Sequence, residues 1–416
     1  MTDLPTMLPE GQHRQPRRIG RRQFLAGAAV TAGLGVAALV EQPWHAWSGA
    51  GAPSAGGPLV LVTMYGGNDG LNTVIPVDDP AYHAARPTLG YQADQTLPLP
   101  DGLALNGKLT GLKRLWDAGQ LAIVRGVGYP DSSLSHFESM DIWQTANPPD
   151  GSGTGWLGRW LDATGTDPMR AISVGSTLPP ALRGERSAAS AVVADTVTIG
   201  GNPAFQTALA SLTGAGPDRG TLAATVARSG NDLLAVRRDL DRLHTGRAAP
   251  TAPAGAPRDL TGQLGVVADL IRAGAPTRVY QVSLSSFDTH SDERADQERL
   301  LAELDAGLSS FLTSLHGTAH GAGTVVATYS EFGRRPAENA SGGTDHGTAA
   351  PLFVAGPTVK GGQFYGDQPS LSRLDPNGNL VFTVDFRSVY ATLLDRVVGV
   401  DPSAFLGGRY PTLDLV

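Results

Sequence analysis

An aspartate and a histidine stand side by side as Asp345 and His346, in the segment GTDHG. A carboxylate and an imidazole are both ligands for divalent metal ions, and the flanking glycines allow a tight turn that presents them together. The simpler interpretation is that Asp345 forms an Asx-turn and His346 caps the next strand. The metal interpretation therefore depends on whether other segments supply further ligands.

Three other segments place such side chains directly after an apolar run that predicts a buried strand. The runs cover residues 59–64, 278–284 and 324–330, and the residues that follow them are Asp69, Asp288 with His290, and Glu331. A further predicted strand, residues 351–355, follows Asp345 and His346. Because an open α/β sheet collects the carboxyl ends of its parallel strands at one edge, we expect these side chains to lie together.

This expectation makes five residues candidate metal ligands: Asp69, Asp288, His290, Asp345 and His346. In an extended segment Asp288, His290 and Asp292 project to the same side, so two or three of them could bind one ion. Two alternatives stay open, since Asn-Asp-Gly at Asp69 is also a turn signal and Asp292 also suits a helix N-cap. Mixed oxygen and nitrogen ligands favour zinc or manganese, and leave calcium or magnesium open if the histidines do not bind the ion.

A second polar group lies where a helix is predicted to begin. Ser135 and His136 are placed in or near its first turn, where a helix N-terminus attracts anions. They are the candidate catalytic residues, with the serine as nucleophile, and the alternative is that a serine caps the helix while His136 packs on its face. Four further residues are predicted to contact an anionic substrate: Asn68, Glu331, Arg334 and Arg335.

The elements that must position these residues follow a βαβ rhythm. Beyond the strands named above, residues 121–127, 170–175 and 191–200 predict strands, and residues 109–116, 203–213, 219–244 and 294–316 predict helices. Residues from about 200 to 275 show no strand pattern and predict a helical insertion. We therefore expect a single α/β domain over residues 53–416.

Residues 1–52 have the layout of an export signal. Five arginines within residues 14–22 precede an apolar stretch of sixteen residues, and Arg21 and Arg22, followed by Gln-Phe-Leu, resemble the twin-arginine signal. Sixteen residues fall short of the roughly 20 that span a membrane, so no permanent anchor is expected. We expect cleavage after Ala52, the twin-arginine translocase as a partner, and a periplasmic, cell-wall or extracellular location.

Composition excludes several classes of function. The chain has 416 residues, is 41% hydrophobic and 17% charged, and carries a formal net charge of −7. Beyond the N-terminal segment no basic run is present that would neutralise phosphates, so nucleic acid is not an expected partner. The absence of cysteine excludes disulfides, thiolate metal sites and a cysteine nucleophile.

Five short segments taken together resemble one family. They are GGNDGLN, SHF, FDTH, SEFGR and GTDHG, and they occur in this order behind the arginine-rich leader. The series resembles the domain of unknown function 1501 family over residues 59–408, and that family is similar in layout to the alkaline phosphatase and sulfatase superfamily. The resemblance implies a three-layer α/β/α fold with a mostly parallel sheet. It also implies Asp69, Asp345 and His346 as metal ligands, with Asp288 and His290 completing the set.

The leading functional hypothesis is an exported, metal-dependent hydrolase of phosphate or sulfate esters. Its expected partner is a small anionic ester or a component of the cell envelope. The alternative is an exported binding or surface-assembly protein that keeps the fold, and a structural metal, without doing chemistry. An exported oxidoreductase ranks third, since the sequence has no dinucleotide-binding fingerprint.

Overall fold

The structure, a computed structural model, describes residues 56–146, 153–187, 189–192, 222–244 and 259–416. Within the chain, Pro53–Val416 forms one compact unit. The predicted export signal with Arg21 and Arg22 lies outside the described residues. The predicted helix at 203–213 and most of the predicted strand at 191–200 also lie outside them.

Apolar and β-branched runs form the strands of a central sheet. The described strands are β1 (Leu59–Met64), β2 (Val74–Ile75), β3 (Thr96–Pro98), β4 (Ala104–Asn106), β5 (Leu121–Gly128), β6 (Ala171–Val174), β7 (Ser190–Val192), β8 (Val279–Leu284), β9 (Val325–Tyr329), β10 (Arg334–Glu338), β11 (Thr344–His346), β12 (Ala350–Ala355), β13 (Gln363–Tyr365) and β14 (Val384–Asp385). The large sheet has the order β13-β5-β12-β9-β1-β8-β6-β7, with β14 also paired to β5.

Strand β1 is central in this sheet. It runs parallel to β8 on one side and to β9 on the other, and all six of its residues are buried. Strand β12 runs antiparallel to β5 and β9, whereas the other described pairings of this sheet are parallel. The predicted mostly parallel sheet is therefore confirmed.

Helices cover both faces of the sheet. They are α1 (Pro80–Ala85), α2 (Thr110–Asp117), α3 (His136–Thr145), α4 (Trp156–Thr164), α5 (Leu222–His244), α6 (Leu260–Arg272), α7 (Glu293–Leu315) and α8 (Phe386–Thr392). Val60 and Val62 of β1 pack in one core with residues of α2, α6 and α7, while Leu59 and Leu61 pack in a second core with α3, α4 and α8. Alternate side chains of a strand enter opposite faces, so the fold has the predicted three layers.

Helix α6 lies within the range predicted as a helical insertion. Its residues Leu264 and Val267 are fully buried in the same core as Val60 of β1. This part of the range is thus one of the layers that cover the sheet, and no strand occurs among its described residues.

The sequence predicts a polar loop between β9 and β12, but the structure has a β-hairpin there. Strands β10 and β11 pair antiparallel, with Arg334 opposite His346. The side chain of Asn339 closes the turn, because its Oδ1 accepts hydrogen bonds from the backbone N–H groups of Ser341 (2.9 Å) and Gly343 (3.1 Å). Asp345 and His346 therefore lie on a strand. Its charged side chains interrupt the apolar alternation by which a strand is predicted from sequence.

Candidate metal centre

Three segments bring imidazole side chains to one place beyond the sheet. His136 is the first residue of α3, which follows β5, and His346 is the last residue of β11, which follows β9. Asp288 and His290 lie between β8 and α7. Strands β5, β8 and β9 run in the same direction, so the segments that follow them start from the same edge of the sheet.

Donor atoms of four side chains from these segments converge. Nε2 of His290 and Nε2 of His346 are 2.9 Å apart, and Oδ1 of Asp288 lies 3.0 Å from the former and 3.1 Å from the latter. Nε2 of His136 lies 3.4 Å from Oδ2 of Asp288. Ligand atoms of His136, Asp288 and His346 all lie within 4.8 Å of one another, so these side chains could hold a metal ion.

The remaining ring nitrogen of each histidine faces an oxygen atom. The Nδ1···O distances are 2.9 Å from His136 to Glu331 Oε1, 2.8 Å from His346 to the carbonyl of Leu134, and 3.5 Å from His290 to Asp345 Oδ1. Carbonyl and carboxylate oxygens accept protons in hydrogen bonds, so the protons belong on Nδ1. Each Nε2 then points a lone pair toward the other donors, which is how histidines are fixed around metal ions.

This arrangement requires a positive charge at its centre. Lone pairs on two nitrogens 2.9 Å apart repel each other, and the Asp288 carboxylate adds a negative charge beside them. Nε2 of His136 is buried and has no hydrogen-bond partner among the described residues. A divalent cation would satisfy these donors together, so the residues fit a metal ion.

Asp288 is held in its ionised form. Partial desolvation on its own would raise its pKa, but the hydrogen bond and the positive charge of Arg334 outweigh it, and the pKa falls to about 2. The carboxylate is therefore negatively charged at neutral pH and remains able to bind a cation.

Arg334, which the sequence predicts as a substrate contact, has no exposed side-chain surface. Its Nε donates to the carbonyl of Gly67 (2.7 Å), Nη1 to that of Thr344 (2.9 Å), and Nη2 to that of Phe287 (2.8 Å) and to Asp288 Oδ1 (2.9 Å). The guanidinium thus ties the loop segments together, and no part of it is free to bind a substrate.

Asn68 and Glu331 are also buried, although both are predicted substrate contacts. Oδ1 of Asn68 accepts from Thr73 Oγ1 (3.1 Å), and Oε1 of Glu331 accepts from the backbone N–H of Gly66 (2.9 Å) as well as facing His136. Glu331 therefore orients His136. Arg335 is half-buried, and its Nε has no hydrogen-bond partner among the described residues.

Two of the five predicted ligands stand outside the donor group. Asp345 is 55% exposed, and its Oδ1 lies 3.3 Å from Asn339 Nδ2 and 3.5 Å from Nδ1 of His290, so it orients His290. Asp69 is fully buried, and both of its oxygens bond to the guanidinium of Arg86. Burial alone would raise the pKa of Asp69, but Arg86 holds it below its ordinary value. The ligand role of Asp69 and Asp345 stays a prediction without geometric support.

Glu293 is a buried acid that the sequence reasoning did not single out. Burial, with the nearby charge of Asp69 adding to it, raises the pKa of Glu293 to about 9. Its Oε2 accepts a hydrogen bond from Thr344 Oγ1, whereas Oε1 has no donor among the described residues. A proton on this carboxyl allows Glu293 to share a hydrogen bond with Asp69 in addition to those that Asp69 accepts from Arg86.

Ser135 is the N-cap residue of α3 and is exposed. Its side chain makes no capping hydrogen bond, and the first bond of the helix runs from the N–H of Ser139 to the carbonyl of Ser135 (2.9 Å). The hydroxyl and the first N–H groups of the helix are therefore open to solvent or to a ligand.

Phe332 forms an apolar wall that no motif indicated. The ring is buried, and its centroid lies 4.9 Å from that of His136 and 4.6 Å from that of His346. Packing of this kind restricts the orientation of both imidazoles. The sequence could not reveal it, since a phenylalanine after a strand is ordinary core.

The chain belongs to the family described as protein of unknown function (DUF1501), whose pattern matches residues 122–408. The segment GGNDGLN, with Asp69, precedes the matched range. No curated protein matches the chain. Among the described residues, no helix is long and apolar enough to cross a membrane.

Several solved structures have a similar layout. One is a protein in the alkaline phosphatase superfamily from Vibrio parahaemolyticus (9% identity, 86% of this chain and 69% of that chain, TM-score 0.42). Another is the PsFucS1 sulfatase from Pseudoalteromonas sp. (12% identity, 86% of this chain and 71% of that chain, TM-score 0.41). A third is the C-terminal periplasmic domain of EcEptC from Escherichia coli (9% identity, 85% of this chain and 87% of that chain, TM-score 0.41). Similarity at this level does not identify a reaction.

Proposed function

We propose that this protein is an exported, metal-dependent hydrolase of phosphate or sulfate esters. The observation that carries the proposal is that three imidazole Nε2 atoms lie within 3.4 Å of an oxygen of the Asp288 carboxylate, with each Nδ1 turned to an oxygen atom. Residues fixed in this way are typical of metal centres with catalytic or structural roles.

Zinc is the ion we propose. Donors about 2.0–2.1 Å from a tetrahedral zinc ion are about 3.4 Å apart, and each of the three Nε2 atoms lies 3.0 to 3.4 Å from an oxygen of Asp288. Three nitrogens and one carboxylate suit zinc, whereas calcium and magnesium prefer oxygen ligands throughout. When bound, the ion would polarise the ester and lower the pKa of a nearby hydroxyl or water.

The remaining chemistry falls to residues around the centre. Ser135, at the exposed start of α3, is the proposed nucleophile, and the free N–H groups of that helix turn favour an anion beside it. Of the two predicted arginines, Arg334 is fully engaged, so the half-buried Arg335 is the one we assign to the substrate. In the proposed reaction Ser135 Oγ forms a bond to phosphorus or sulfur while the bond to the alcohol oxygen breaks, and the alcohol leaves with the proton of the serine hydroxyl. Water then cleaves the seryl ester, which releases phosphate or sulfate and restores the hydroxyl.

Phe137 offers a surface for the organic part of such an ester. It follows His136 directly and is 91% exposed, although the spacing of Leu134, Phe137 and Met140 predicts an apolar helix face. A small anionic ester, or an ester in the cell envelope, is the proposed substrate.

Turnover of 4-nitrophenyl phosphate and 4-nitrophenyl sulfate by zinc-loaded protein tests the proposal. We expect release of 4-nitrophenol that is lost in a His136→Ala variant and on chelation. Zinc binding without turnover of either ester would favour the binding or surface-assembly alternative. The proposed route out of the cytoplasm, through the twin-arginine translocase, rests on Arg21 and Arg22.

A further inference from the structure

We propose that Asp69 and Arg86 are positioning residues for the metal centre, although neither belongs to its donors. This inference rests on the metal site of the proposed function. Both side chains are fully buried, and they form an ion pair in which both carboxylate oxygens bond to one guanidinium. A two-pronged pair of this kind fixes orientation as well as distance.

Arg86 connects this pair to the hairpin that carries His346. Its Nε donates to the carbonyl of Pro336 (2.8 Å), and its Nη2 donates to the carbonyl of Arg335 (2.9 Å). Both carbonyls belong to β10. The loop after β1, which holds Asp69, is thereby fastened to the first strand of the hairpin.

The position of β10 sets the position of two donors. Arg334 of β10 pairs with His346 of β11 across the hairpin, and its guanidinium bonds to Asp288 Oδ1. Any shift of β10 relative to the sheet therefore moves His346 and releases Asp288. Arg86 restrains that shift through the carbonyls next in sequence to Arg334.

A second set of contacts fastens β11 to the segment with His290. Thr344 donates from Oγ1 to Glu293 and from its backbone N–H to the carbonyl of Thr289 (3.2 Å), and the N–H of Glu293 donates to the carbonyl of Gly342 (3.0 Å). Asp69, Arg86, Glu293 and Thr344 together form a positioning network, which fixes the separation of His290 and His346.

The network gives Asp69 a role that differs from that of a ligand. A ligand needs a free oxygen, whereas the oxygens of Asp69 are taken by Arg86 and by the backbone N–H of Leu71 (3.2 Å). Asp69 acts on the centre through Arg86. Removing Asp69 should then matter only while Arg86 is present.

The test measures zinc affinity of the purified full chain by competition with a chromophoric chelator. The variants are Arg86→Met and Thr344→Val. Their matched controls are Arg278→Met and Thr392→Val. Arg278 lies directly before β8, and its guanidinium bonds to the carbonyls of Gly56 and Val397. Thr392, in α8, is as fully buried as Thr344. We expect zinc binding to weaken by on the order of tenfold in the first two variants and to stay unchanged in the controls.

A double-mutant cycle separates positioning from ligation. Asp69→Asn should weaken zinc binding in the parent protein and have no further effect in the Arg86→Met background. A further loss in that background would make Asp69 a ligand and overturn the inference. The inference would also be overturned if Arg86→Met bound zinc as tightly as the parent protein. If Arg86→Met does not fold, the same result in Thr344→Val would overturn it.

Failure of this inference differs from failure of the proposed function. If the parent binds zinc and the network variants bind it equally well, the inference alone is wrong. If the parent protein binds no zinc, the metal centre itself is wrong and the inference falls with it.

Discussion

The Nε2 atoms of His290 and His346 lie 2.9 Å apart, while the Nδ1 atom of each ring faces an oxygen acceptor. Neither Nε2 therefore has a proton to share with the other when the rings are neutral. Arg334 Nη1 lies 3.5 Å from Nε2 of His290, and a metal ion between the two imidazoles would stabilise the contact further. This relationship leads directly to the first prediction.

Chelation should lower the thermal stability of the parent protein. Zinc at a thousand times its Kd stabilises a folded protein by about 4.1 kcal/mol, which is several degrees in Tm. His346→Ala should show little response to chelator, because it loses one of the donors. Asp345→Ala should keep the ion but bind it on the order of tenfold more weakly, because the Asp345 carboxylate that orients His290 is lost. Differential scanning fluorimetry and elemental analysis check both outcomes, and stoichiometric zinc in a double Asp345→Ala, His346→Ala variant would contradict the site.

Ser135→Ala should reduce ester hydrolysis by at least a hundredfold if Ser135 is the nucleophile. Its zinc content should stay at the parental level, because Ser135 is not one of the donor residues. Ser132→Ala is the matched control, since that hydroxyl bonds to the carbonyl of Tyr129. Full activity in Ser135→Ala would assign the attack to water or to another residue.

Glu293→Gln should change how stability depends on pH. The unfolded carboxyl ionises near its ordinary pKa of 4.5, and the folded one near 9, so between these values the folded protein holds a proton that the unfolded chain has lost. This contribution is complete below pH 4.5 and declines by up to about 1.4 kcal/mol per pH unit as pH rises toward 9. Glutamine keeps a neutral donor and removes the slope.

Urea unfolding at pH 6 and pH 9, with chelator present throughout, checks this prediction. The parent should lose more stability between the two pH values than Glu293→Gln does. An equal loss in both proteins would mean that Glu293 is not protonated in the fold.

Replacing Arg21 and Arg22 with lysine should leave unprocessed precursor in the cytoplasm. Lysine keeps the charge but lacks the planar guanidinium that a twin-arginine receptor distinguishes. Fractionation and immunoblotting of the full chain measure the outcome. Normal processing and export of the double variant would exclude the twin-arginine route.

Strong local patterns made the strands predictable. Residues 59–64 are an apolar run and residues 278–284 are rich in apolar and β-branched residues, and they form β1 and β8 with boundaries within a residue of those expected. Asp288, His290 and His346 could be proposed as ligands because each is a metal-binding side chain near a strand end. His136 was predicted as catalytic, and the structure places it with these residues.

The contacts between distant residues were not predictable from one sequence. Arg86 bonds to Asp69 and to carbonyls of residues 335 and 336, which lie about 250 positions further along the chain. Arg334 was predicted as a substrate contact, but its guanidinium donates hydrogen bonds to four backbone carbonyls and one carboxylate. Which charge meets which countercharge is decided by tertiary packing, and periodicity carries no information about it.

The donors of the proposed centre are dispersed along the chain, with His136 at the start of α3, Asp288 and His290 after β8, and His346 at the end of β11. No stretch of nascent chain holds more than two of them, so only the completed sheet can capture an ion firmly. If the protein crosses the membrane already folded, the ion is acquired before the crossing. The identity of the metal in the exported protein would then depend on which ions are available in the compartment where the protein folds. The ions available in the compartment where the protein works would not determine it.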